Sequence, residues 1–152
     1  MVVATDTLWE DLSFWSEPAE QAFARARRQA NREARMDRRR GRRSTLVSFD
    51  EIESIAGLLP ESMERYQIVP LSQIVGSVGK SDLFTRSFLP KSGRLRRRWK
   101  RAFAVAHGLR GYQPVELYDA DGRLYVVDGH FRVSVAGALG TETIQARVRR
   151  WV

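Results

Sequence analysis

Asp128-Gly129-His130-Phe131-Arg132 places a carboxylate, an imidazole and a guanidinium within one short turn of chain. The residues before it, "LYVV" at 124–127, have strand composition, and "FRVSVAGALG" after it reads as a helix of small residues ending at Gly140. A strand that turns directly into a helix leaves the first backbone N–H groups of the helix unpaired. With the helix dipole behind them, they favour an anion. Gly129 lets a ligand approach the backbone, and Arg132 adds a forked cation suited to phosphate. His130 could donate a hydrogen bond to phosphate or exchange a proton, and Asp128 could orient His130 or hold Mg²⁺ together with phosphate oxygens. The same residues also allow a purely structural corner, with Asp128 capping the helix and Arg132 solvated. The local chemistry leaves both open.

Other residues could serve the same purpose. "GRLRRRWKR" holds six bases in the eight residues 94–101. On a helix Arg94, Arg97, Arg98 and Arg101 project along one side, where they could contact a phosphate backbone or nucleotide phosphates, while Leu95 and Trp99 face inward. The alternative is a solvated face contacting the acidic block at 44–66. The run that includes Arg38, Arg39 and Arg40 suits DNA or RNA, an acidic partner, or the chain's own acidic start. His107 reads as a helix C-terminal residue whose positive form suits the dipole. Glu116 and Asp119 are candidate further carboxylates. "GSVGKS" at 76–81 ends like a P-loop, but a phosphate-wrapping loop needs glycine at position 74, where Ile74 stands. A flexible loop with exposed Lys80 is the expected reading.

These groups need elements to hold them. Residues 16–41 read as a helix with Ser16 as cap and Gly41 at its end. Its apolar residues are mostly Ala, with Phe23 and Met36 the large ones, so it is expected to face solvent or dock only loosely. Ser48 and Glu51 form a capping-box pattern before a short helix with Ile52, Ile55 and Leu58 inward, closed by Pro60, and "PESMERY" is read as a further turn. From residue 67 the order reads β, α, β, β, α, β: "YQIVPLSQIVGSV", a helix over 93–107 stopped by Gly108, a hairpin around Asp121-Gly122, the helix after Gly129, and "TETIQARVRRWV". The segments are thus a 1–43 acidic then Arg-rich helical arm, a 44–66 connector and a 67–152 domain, of α/β class with a small mixed sheet flanked by helices.

Composition sets limits. The 152 residues suit one domain that removes roughly two-thirds of its unfolded surface from water. With no cysteine there is no disulfide, thiolate metal site or cysteine nucleophile, which fits a reducing cytoplasm. The apolar runs are too short to span a membrane, and the first 20 residues lack the form of a secretory signal. The net charge of +8 favours an anionic partner. It is laid out in blocks: −5 over 1–20, +8 over 21–43, −4 over 44–66 and +9 over 67–152.

The ordered context around residue 128 resembles the ParB/sulfiredoxin-like superfamily over roughly residues 66–150. In that group a strand leads to D-G-x-x-R or G-x-x-R and then to a small-residue helix ending in Leu-Gly. "YQIVPLSQIVGS" and "QPVELYDADGRLYVVDGHFR" resemble the family's first strand and its hairpin with the motif. The resemblance implies a domain whose loop binds nucleotide phosphates, with Gly129 and Arg132 matching the family's glycine and phosphate-binding arginine. Asp128 and His130 match the D-G-H-x-R form of kinase-like and small stand-alone members. ParB proteins bind and hydrolyse CTP, sulfiredoxins use ATP to repair an oxidised cysteine, and a related kinase phosphorylates free serine with ADP. The implied protein binds a nucleotide (CTP, ATP or ADP, with Mg²⁺), in a nucleic-acid-associated bacterial regulator or partition-type protein. Alternatives are a nucleotide hydrolase or small-molecule kinase using Asp128 and His130, or an interaction module with a structural motif. A second copy of the chain, in a homodimer, is a candidate partner, though the sequence does not set the oligomeric state.

Departures narrow this. ParB proteins carry G-E-R-R-x-R, whereas here His130, Phe131 and Ser134 replace the glutamate and two arginines, which weakens the implication of CTP. Sulfiredoxin chemistry needs a cysteine where His130 stands. No helix-turn-helix follows the motif, so operator reading by such a module is not expected.

Overall fold

The computed structural model describes residues 14–108, 111 and 113–152. The elements are α1 (Ser16–Arg39), β1 (Val47–Ser48), α2 (Phe49–Ala56), β2 (Pro60–Pro70), β3 (Ile74–Ser77), α3 (Arg96–His107), β4 (Val115–Ala120), β5 (Arg123–Asp128), α4 (His130–Ala138) and β6 (Thr143–Trp151). The class is α/β, as expected. Six strands form one mixed sheet in the order β1-β3-β5-β4-β6-β2. The hairpin β4–β5 is antiparallel, with positive φ at both Asp121 and Gly122, as a two-residue turn of this hand requires. Its strands are extended by parallel β3 on one side and parallel β6 on the other. The long β2 closes that second edge against β6.

Side chains alternate across the sheet. Leu117, Leu124, Val126 and Val148 point to the core shared with Val133 and Ala136 of α4. Tyr125 and Tyr118 point the other way, where Phe49 packs edge-on against them and Trp151. Gly76 is required on that side, because a Cβ there would lie 2.3 Å from the Val47 carbonyl oxygen and 2.5 Å from the Tyr125 ring.

The structure corrects three local expectations. Trp15, not Ser16, stands at the start of α1, without a side-chain cap. Ser48 does precede α2, but its side chain makes no capping bond, and Ile55 is 87% exposed rather than inward. "PESMERY" is strand, not turn: β2 begins at Pro60 and runs across residue 66. Its partner β6 lies some eighty residues further on (Glu64 opposite Arg149), so local sequence gave no sign of the pairing.

The largest correction concerns α1. Ala19, Phe23, Ala26 and Ala30 are buried, and the first three join Trp99, Phe103 and Val135 in a second core. A thin Ala stripe does not prevent docking. It lets two helices approach closely, and Phe23 fills the gap edge-on to Trp99, 5.7 Å between ring centres. Polar pins fix the other end of the helix. Arg27 donates to the Pro90 carbonyl at 2.7 Å, Glu33 accepts from the Ser87 N–H at 3.1 Å, and buried Asp37 accepts from Arg86 at 2.8 Å. Trp15 stacks on His107, whose ring also lies against Phe103 and meets its own helix at the Phe103 carbonyl.

Candidate functional site: a basic cavity at the strand-to-helix turn

Gly129 has φ 109°, and a Cβ on it would lie 2.6 Å from Val115 Cγ1. Only glycine fits between β5 and α4, so the chain turns there without a side chain in the way. The α4 start has no side-chain cap. Asp128 therefore does not serve as the cap. Its carboxylate instead accepts from Arg132 Nη2 at 3.0 Å, one helical turn on. Arg132 Nη1 donates to the carbonyls of Gln113 and Pro114 at 2.9 and 3.1 Å. The guanidinium thus ties the segment before β4 to the motif. Those bonds use both Nη1 hydrogens and one on Nη2, leaving Nε–H and the other Nη2 hydrogen to point elsewhere.

His130 turns inward. It is 2% exposed, its Nε2 lies 2.6 Å from Ser77 Oγ, and its ring is stacked over Phe84. Ser77 Oγ also accepts from the Lys80 N–H at 3.1 Å. One hydroxyl therefore joins the motif to the 76–81 loop. Burial, with the positive charge of Lys80, lowers the His130 pKa to about 4, against the opposing pull of Asp128. At neutral pH the ring is uncharged, and one of its nitrogens is held by Ser77.

Between α3 and this turn lies a cavity of about 700 Å³, within the usual range for small-ligand sites. Its cations are Lys80, Arg98, Arg101 and Arg132, and its one carboxylate among the lining residues is Asp128. Ala102, Val105 and Phe131 supply apolar wall. Arg98 sits over the Phe131 ring, 5.9 Å from its centre, which fixes the arginine at the rim. The neighbouring Trp99 of α3 donates from its indole N–H to Ser134 Oγ of α4 at 2.9 Å and ties the two helices together.

The structure therefore brings together Asp128, Gly129, His130, Arg132, Arg98 and Arg101. Arg94 and Arg97 are exposed and do not line the cavity. Arg38, Arg39 and Arg40 lie at the far end of α1, next to the Asp37–Arg86 pair. The basic helix meets Glu20 of α1 through Arg96 and Lys100, whereas Glu64 of the 44–66 block pairs with Arg147 and Arg149. Glu116 pairs with Arg147, and Asp119 accepts from the Gly122 N–H to close the hairpin, so both carboxylates are committed elsewhere.

Sequence reasoning missed Ser77 and gave Lys80 no role. "GSVGKS" is no P-loop, since a turn rather than a helix follows it, yet the fold sets its lysine in the cavity wall. The Gly-Lys-Ser triplet was the available signal for Lys80. Nothing local pointed to Ser77. Among the described residues no cluster of three or more His, Asp or Glu side chains is placed to hold a metal. The cavity offers a divalent cation one carboxylate, Asp128. That suits Mg²⁺ only when phosphate oxygens complete its shell.

No protein-family model matches the chain, and neither does any curated protein. Among solved structures it is similar to sulfiredoxin. The crystal structure of sulfiredoxin from Arabidopsis thaliana is 17% identical, with the match covering 57% of this chain and 85% of that one at a TM-score of 0.43.

Proposed function

We propose that this chain binds a nucleotide, or another phosphorylated small molecule, in the cavity between α3 and the Asp128–Arg132 turn. The observation that carries this is the charge of the wall: four cations converge on one cavity against a single carboxylate that is already paired. The first residues of α4, His130 to Arg132, line the same space, where a helix start favours an anion, and the apolar wall leaves room for a base or other organic body. Lys80, Arg98 and Arg101, without a protein carboxylate within ion-pair distance among the described residues, are the side chains free to take phosphate. Arg132 acts chiefly by holding the turn, and His130 by holding the 76–81 loop through Ser77.

The test is calorimetric titration with CTP, ATP, ADP and GTP, with and without Mg²⁺. Each charged hydrogen bond contributes about 1.5–3 kcal/mol, so Arg98→Ala/Arg101→Ala should weaken binding at least about 100-fold. No binding of any nucleotide by the wild-type protein, or unchanged affinity in the double variant, refutes the reading. Arg132→Ala is a poor probe, because it also cuts the ties to Gln113 and Pro114.

A second reading, a nucleotide hydrolase or small-molecule kinase, draws support from Asp128, whose carboxylate is 68% exposed at the cavity. It requires Mg²⁺-dependent turnover that Asp128→Asn abolishes while binding persists.

A further inference from the structure

The arm helix carries a feature that the cavity does not use. Arg25, Arg28, Arg32, Arg35 and Arg39 of α1 are all exposed. At about 100° per residue they fall within about 80° of arc, on a line about 21 Å long. The buried Ala19, Phe23, Ala26, Ala30 and Asp37 occupy the opposite side. The two acids between Arg25 and Arg39 are both turned toward the body: Glu33 accepts from the Ser87 N–H, and Asp37 is paired with Arg86. The result is a row of guanidinium groups, with no acid among them, on a helix docked against the body at both ends.

We propose that this row is a binding surface for the phosphate backbone of double-stranded DNA, contacted without regard to base sequence. Five of five cations in the row are arginine, whose fork matches phosphate oxygens better than an ammonium does. Along about 21 Å a duplex presents about six phosphates per strand, at about 3.4 Å each. The row bears no aromatic side chain, whereas surfaces for single strands add stacking platforms between their cations. The apolar face of α1 is spent on Trp99 and Phe103, so the helix has no free face to insert into a lipid surface. Docking also means that the helix backbone carrying the arginines is in place before the partner arrives, so less backbone entropy is lost on binding. This surface stands independently of the cavity.

The experiment is fluorescence anisotropy of a labelled duplex of arbitrary sequence, titrated with the full chain at a series of salt concentrations. Five phosphate contacts give a log–log slope of about −4.5, or about a 500-fold loss of affinity from about 50 to about 200 mM salt. Arg28→Gln/Arg32→Gln/Arg35→Gln should reduce that loss to about 12-fold, since two contacts remain. A control, Arg65→Gln/Arg123→Gln/Arg150→Gln, removes the same charge from exposed positions outside α1 and should keep the steep dependence. Lysine at the three α1 positions should keep most of the slope, which separates lost charge from a fold defect. The proposal is overturned by absence of duplex binding, by equal flattening in the α1 and control variants, or by tighter binding of a single strand than of the duplex. It is also overturned if anionic lipid vesicles bind through the same arginines while the duplex does not.

Discussion

Acid should unfold this protein partly through His130. Its pKa is about 4 in the folded state against 6.5 for a free side chain, because burial beside Lys80 disfavours the charge. The unfolded chain therefore takes up this proton first as pH falls. The contribution of His130 is complete above pH 6.5 and is lost progressively down to about pH 4. At 1.36 kcal/mol per unit, the interval amounts to about 3 kcal/mol, a sizeable part of the stability of an ordinary domain. The perturbation is His130→Gln, which keeps a polar group able to meet Ser77 Oγ but does not titrate. Urea unfolding of both proteins from pH 7 to about pH 4 supplies the two stability curves, and their difference isolates His130, since His107, Asp37 and every other titrating group is common to both. The wild-type curve should fall relative to the variant by up to 1.36 kcal/mol per pH unit, reaching about 3 kcal/mol. Lys80→Gln should shrink the fall by removing one of its causes. Parallel curves for wild type and His130→Gln would refute the burial and charge argument and, with it, the neutral ring assigned to the site.

Two further substitutions test how the site is held. Phe23→Ala empties a site in the α1–α3 interface and should cost about 3–5 kcal/mol by denaturant unfolding; a cost below about 0.5 kcal/mol would mean that α1 does not dock. Gly129→Ala combines positive φ with a 2.6 Å contact to Val115 and should cost about 2–3 kcal/mol and abolish nucleotide binding, so a variant as stable as wild type would contradict the turn geometry. The calorimetric titration with Arg98→Ala/Arg101→Ala and the salt dependence of duplex binding complete the set.

Local signals carried much of the fold. Spacings of three and four marked α3, alternation marked β6, small residues up to Gly140 marked α4, and the Asp121-Gly122 pair marked the hairpin of β4 and β5, because helical faces, strand alternation and positive-φ turns depend on a few neighbouring residues. The same locality explains the misses around α2 and β2. The capping pattern does precede a helix, but Ser48 makes no capping bond and Ile55 faces outward; the Pro-Glu-Ser start looked like a turn, while the pairing that makes β2 a strand comes from β6. The strand-to-helix turn was legible as a corner able to meet an anion, since Asp128, Gly129, His130 and Arg132 are adjacent in the chain.

Their roles depended on contacts that sequence does not display. Ser77 and His130 meet across 53 residues, Asp37 and Arg86 across 49, and Arg27 and Pro90 across 63. The first contact holds the His130 ring buried against Ser77, beside the Lys80 loop. The other two, with Phe23 against Trp99, convert an alanine-rich helix that looked free into a docked one. Adjacent residues thus determined which groups are present and the local shape of the backbone. Packing between distant segments decided which charges are buried, which are paired and which are left lining the cavity, because burial and pairing belong to the assembled body rather than to any stretch of chain.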